Sequence, residues 1–128
     1  MKAPGAPRTR SAPDSGATLS RAAVRAAQLL AVPQAHLAEI IGVSEATLSR
    51  IANGRRHLEP DTKAWQLAAL FVRMFRSLDA IVGSDDAAAR AWLRSGNLAL
   101  GGVPFELIQD PAGLVRTVDY LDAARARI

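Results

Sequence analysis

The chain contains no cysteine, which excludes a disulfide framework and any thiolate metal centre. Histidine is almost as scarce. His36 and His57 are the two present, and two imidazoles alone do not complete a metal cage, so neither a metal nor a cofactor is expected. Aromatic residues make up 5% of the sequence against 49% for hydrophobic residues as a whole. The interior must therefore be assembled from Ala, Leu, Val and Ile, the composition of closely packed helices. No apolar run approaches the roughly 18 residues that a membrane span requires, and the N-terminus lacks the apolar core of a secretory signal. A soluble cytoplasmic protein with no membrane partner is the expectation. Also lacking are a phosphate-cradling glycine loop, a histidine with a spaced carboxylate and a metal-ligand cluster. No catalytic residue is assigned, and an enzyme is not expected.

What is there is a chain of 128 residues, enough for one ordinary domain or two small helical units sharing a core. Sixteen Lys and Arg face 12 Asp and Glu, for a net charge of +4, which permits a polyanionic partner without establishing one. No internal repeat and no long strand-type alternation appears. The expected fold class is all-α.

Residues 1–16, MKAPGAPRTRSAPDSG, combine three Pro and two Gly with Lys2, Arg8 and Arg10. Such a composition buries too little surface to order itself, so a disordered basic tail is predicted. Residues 17–83 then form a first unit. Leu19, Ala22, Ala23, Ala26, Leu29 and Leu30 make one stripe of a helix that Val32-Pro33 ends. Two short helices follow over about residues 34–41 and 44–53, with Gly42 between them. Pro60-Asp61 opens a longer helix whose apolar face is Trp65, Ala68, Ala69, Val72, Phe75 and Leu78, ending near Gly83. A second unit, residues 84–128, opens at Ser84-Asp85-Asp86 with a helix carrying Trp92 and Leu93. It continues through the turn cluster Ser95-Gly96-Asn97 and a compact helical turn near Pro104. Its last helix, from Asp110-Pro111, points Leu114, Val115, Val118 and Leu121 inward. Trp92 and Phe105 are expected in the core.

The stretch QAHLAEIIGVSEATLSRIAN, residues 34–53, carries the most specific signal. Ala38 lets two helices cross closely, Gly42 can take the left-handed backbone of a tight turn, and Val43, Leu48 and Ile51 supply a shared core. The solvent side of the second helix is then Glu45, Ala46, Thr47, Ser49 and Arg50. A helix with such a side fits a major groove about 12 Å wide. Arg50 can bind guanine O6 and N7 bidentately, Thr47 can donate to a base or touch a thymine methyl, and Gln34 at a helix start lies beside phosphate. Glu45 either accepts from a cytosine amino group or favours the helix N-terminus. Both histidines read as surface residues, His36 by periodicity and His57 in the loop after the motif, where it neighbours Arg55 and Arg56.

With the closing Asn53-Gly54-Arg55-Arg56, this segment resembles phage-repressor and Xre-type helix-turn-helix domains. The resemblance implies that Gln34 and Ser44 sit on phosphates, that Glu45, Ala46, Thr47 and Arg50 face base edges, and that Arg55 and Arg56 grip the backbone of an operator DNA. The C-terminal unit resembles the toxin-binding domain of the Xre/MbcA/ParS antitoxin family. The resemblance rests on Ala91-Trp92-Leu93, GNLALGGVPFELI at residues 96–108, Gly113-Leu114-Val115 and Val118-Asp119-Tyr120-Leu121. That family implies a neutraliser of a RES-domain toxin acting on NAD, which also represses its own operon. Arg116, Tyr120, Arg125, Arg127 and the terminal carboxylate of Ile128 are the candidate toxin contacts. For Arg125 and Arg127 an interaction with the helix dipole explains the placement equally well. A homodimer within a larger toxin-antitoxin complex is expected, since two half-sites about 34 to 36 Å apart are needed for tight binding. The face from Trp65 to Leu78 and the last helix are both candidate seams. The alternative is a stand-alone dimeric transcription regulator whose second half only dimerises it.

Overall fold

Alanines spaced along one face make the first helix a close-packing element. In the computed structural model, which describes the backbone of residues 11–128 and the side chains of residues 15–128, α1 spans Ser11–Leu29 and buries Ala23, Ala26 and Ala27. The helix thus begins inside the segment expected to be a tail, and residues 11–16 are corrected to helix; residues 1–10 lie outside the described residues. Tertiary contact explains the difference. Gly16 is buried where a Cβ would stand 2.6 Å from the Leu58 carbonyl oxygen, and the buried Leu58 N–H donates to Ser20 Oγ at 2.9 Å.

α2 (Gln34–Ile41) and α3 (Glu45–Ala52) follow as expected. Gly42 caps α2 in the left-handed region at φ 78°, the conformation the tight turn demands. α4 (Lys63–Ile81) is capped by Thr62 and buries Ala68, Phe71, Val72, Met74, Ser77 and Leu78. Its inward face is rotated from the expected one: Ala69 is exposed, and Trp65 and Phe75 are half-buried. α5 (Asp86–Arg94) starts at the Asp85 cap and α7 (Pro111–Ala126) at the Asp110 cap, with the short α6 (Pro104–Leu107) between them. α7 buries Leu114, Thr117, Val118 and Leu121, whereas Val115, expected inward, is 41% exposed. At Gly113 a Cβ would lie 1.9 Å from the Leu107 carbonyl oxygen, so only glycine allows α7 to start against α6.

Among the described residues there are seven helices and no strand; the fold is all-α, with a helix-turn-helix unit followed by a helical C-terminal unit. α4 packs against α1 and α2 and also lies along α7, so one buried cluster runs from Ala23 to Leu121 without a break. Most of the apolar face of α4 is used by this core, with Trp65 and Phe75 half-buried at its edge.

A second joint ties the two halves. α1 ends with Ala31 at φ 57°, while the Val32 N–H returns to the Ala27 carbonyl at 2.8 Å, a C-terminal closure normally reserved for glycine. The carbonyls left over at that end accept from α5: Arg90 Nη1 donates to Leu29 O at 3.0 Å, Arg94 Nη1 to Leu30 O at 3.0 Å, and Arg94 Nη2 to Ala31 O at 2.7 Å. Two guanidinium groups at the negative end of a helix are favourable electrostatically as well. Arg94 also covers the Phe105 ring at 4.7 Å, and His36 of α2 packs on the same ring at 4.9 Å between centroids. His36 is therefore half-buried against the C-terminal unit rather than exposed. Replacing Arg94 by Ala is expected to lower stability by about 1–2 kcal/mol, the worth of charged hydrogen bonds discounted for partial exposure. Arg94→Lys should recover less than half of that loss, because an ammonium lacks the planar fork that reaches two carbonyls. Urea unfolding of the three proteins checks both.

Candidate DNA-binding and partner-binding surfaces

The first surface is built at the start of α3. Ser44 caps the helix: its Oγ accepts from the Thr47 N–H and donates to Thr47 Oγ1, both at 3.0 Å. This has two chemical consequences. The Ser44 hydroxyl is committed inside the turn, and the Thr47 hydroxyl, receiving one hydrogen bond, keeps its own proton to donate. The first helical amides, those of Glu45 and Ala46, have no partner one turn back and form the positive pole of α3, beside which the Glu45 carboxylate is favourably placed.

Leu48 and Ile51 bury the opposite face of α3, leaving Glu45, Ala46 and Arg50 exposed. Gln34 opens α2 and is also exposed. The chain leaves α3 through Gly54, and the Arg55 N–H donates to the Arg50 carbonyl at 2.9 Å, so the backbone of Arg55 is fixed to the end of the helix. Arg55 and Arg56 are exposed. Thr47, half-buried, and Arg56 meet at one cleft of about 190 Å³, which Val43, Ile51, His57 and Leu58 also line. The cleft thus brings Thr47 of α3 together with Arg56 of the segment that follows it.

The five C-terminal candidates are not gathered in this way. Arg116 donates to the Leu100 carbonyl and so leans on the turn of residues 97–102. Tyr120 is half-buried and stacks on Trp92, 6.3 Å between centroids with planes at 21°. Arg125 points to another side of α7, where its Nη1 lies 3.5 Å from Ser77 Oγ. There it shares an open cleft with Arg73, Asp122 and Ala126. Ser77 in turn donates to Asp122 Oδ1 at 2.7 Å, and Asp122 pairs with Arg73. Arg127 follows at the C-cap of α7, and Ile128 is 76% exposed. Trp92 and Phe105 are half-buried and pack against the core.

Sequence reasoning passed over several residues that shape these surfaces. Arg90 and Arg94 stand four apart on a helix, a visible pairing, but the carbonyls they reach lie 61 to 64 residues away in the chain. Leu98 is another such residue, fully exposed at the tip of a turn. Nothing in the local pattern separates it from Leu100, which is buried.

A helix-turn-helix presenting an uncluttered second helix, joined to a compact helical unit with its own exposed surface, defines a DNA-binding protein with an appended partner-binding module. Comparison with known families agrees in both halves. Residues 9–73 match the antitoxin Xre-like helix-turn-helix domain, and residues 77–127 match the antitoxin Xre/MbcA/ParS C-terminal toxin-binding domain. The chain belongs to the Xre/MbcA/ParS family of antitoxins. It is a DNA-binding antitoxin of a toxin-antitoxin pair, with a toxin as partner and no enzymatic role of its own. A comparison with curated proteins gives no match.

Proposed function

We propose that this antitoxin neutralises a RES-domain, NAD-consuming toxin by covering its active site with the unit of residues 84–128, and represses its own operon through the helix-turn-helix of residues 17–83. The observation that carries this reading is the placement of two separate exposed surfaces on one rigidly joined body: the α3 edge, and the C-terminal unit whose family is toxin-binding. Occlusion by the body of the domain is the mode favoured by the scatter of Arg116, Tyr120 and Arg125 over different sides of α7, since a single plug would draw them together. Arg127 and Ile128 extend that surface at the chain's end. Within the described residues no helix is long and apolar enough to cross a membrane, in keeping with a cytoplasmic site of action.

On DNA, Arg50 and Thr47 read base edges while Arg55 and Arg56, with Gln34, hold phosphates. Ser44 acts mainly by shaping the start of α3, whose free amides are the better phosphate donors. The expected assembly is a homodimer placing two α3 helices in successive major grooves. With most of the α4 face drawn into the core, the seam falls on the exposed side of α7.

Two experiments test the halves separately. The toxin encoded beside this gene should consume NAD when purified alone, and an equimolar amount of the full chain should suppress most of that loss; unchanged NAD consumption in a mixture that does form a complex contradicts occlusion. On the operator, Arg50→Ala is expected to cost roughly 1–3 kcal/mol and relax base preference, whereas Arg55→Ala should weaken specific and random duplex alike and reduce the salt slope by about one. Equal losses for both variants on both duplexes, measured by fluorescence anisotropy, contradict the assignment of roles.

A further inference from the structure

A leucine whose side chain is wholly in water is an expense that folding does not require. Leu98 is 103% exposed, more open than any other large apolar residue among those described, and it stands on a rigid support rather than a loose loop. Asn97 and Gly102 are bridged, Asn97 N–H to Gly102 O at 2.9 Å and Gly102 N–H to Asn97 O at 3.2 Å. The Gly101 N–H also reaches Asn97 O at 2.9 Å, and the Asn97 side chain accepts from the Leu100 N–H at 3.0 Å. From below, Leu100 is buried and its carbonyl is held by Arg116 of α7. Every polar group named here works to fix the turn, and what the turn displays is Leu98. The exposed side of α7 lies against it through Arg116, whose chain neighbour Val115 is, with Ile128, among the other large apolar residues left open on this unit.

We propose that Leu98 is the preformed apolar anchor of the toxin interface, entering a hydrophobic recess on the toxin, with Val115 and Arg116 flanking it. This rests on the toxin-binding reading of residues 77–127, and that reading favours the toxin over a second copy of this chain as the occupant. A side chain held ready by a rigid turn loses little freedom on docking, so burying it contributes nearly its full transfer free energy to affinity.

The test uses the full chain and the toxin encoded beside it, with affinity measured by calorimetry for the unaltered protein, Leu98→Ala and Leu98→Asp. Because Leu98 touches nothing that folding needs, both variants should keep the urea midpoint, the operator affinity and the oligomeric mass of the unaltered protein. Toxin affinity should fall about 10–100-fold for Leu98→Ala and further for Leu98→Asp, which would bury an unpaired carboxylate. Val115→Ala should give a smaller loss. Toxin affinity within twofold for Leu98→Asp overturns the proposal while leaving the antitoxin reading intact, and so does a drop in oligomeric mass with toxin binding retained, which assigns Leu98 to a self-association seam. Absence of toxin binding by the unaltered protein overturns the underlying reading itself, and the anchor with it.

Discussion

Three carbonyl oxygens at the end of α1, those of Leu29, Leu30 and Ala31, accept hydrogen bonds from two arginines more than sixty residues further along the chain. Much else hangs on that contact. A helix that closes on an alanine in the left-handed region is held at some conformational cost, and the guanidinium groups offset it by satisfying the carbonyls that the closure leaves behind. Because α1 and α2 belong to the DNA-reading unit and α5 to the toxin-binding unit, the same hydrogen bonds set the angle between two binding surfaces. Phe105, between the Arg94 guanidinium and the His36 ring, closes the joint with apolar area. α4 forms the other tie, with its buried face shared between α1, α2 and α7.

Two domains connected by a long helix would ordinarily move relative to one another. Here a continuous core and a charged clamp oppose that freedom. For an antitoxin that holds DNA, this gives a physical route by which toxin occupancy can influence DNA binding, since a toxin seated on the C-terminal unit lies at a set distance from the DNA-reading helix. The same rigidity suits the display of Leu98, since a turn mounted on a stationary body meets its partner already formed.

The helical class and the helix-turn-helix were legible in the sequence because each is written locally. Gly42, Ser44 and the spacing of Leu48 and Ile51 specify a turn and a cap within a dozen residues, and those features stand where expected. The start of α1 was not legible, for its composition resembles a tail and its order comes from Ser20 and Gly16 docking on Leu58. Periodicity placed Val115 inward alongside Leu114, yet the covered face of α7 runs through Leu114, Thr117, Val118 and Leu121, and Val115 falls at its open edge. His36 read as exposed for the complementary reason: the face of α2 that periodicity leaves open is covered by Phe105, from a unit that the helical wheel of α2 cannot anticipate. The candidate contacts on α7 are polar residues whose type carries no information on direction, and Arg116 and Arg125 lie on different sides of the helix.

The most direct measurement is a set of backbone residual dipolar couplings for the free protein in solution, fitted separately for residues in α1 to α3 and for residues in α5 to α7. A clamp of this kind predicts a single alignment tensor, equal in magnitude and orientation for the two sets, that splits into two on Arg90→Ala/Arg94→Ala substitution. Two distinct tensors already present in the unaltered protein would contradict it, and would make the DNA-reading and toxin-binding units independent bodies on a tether.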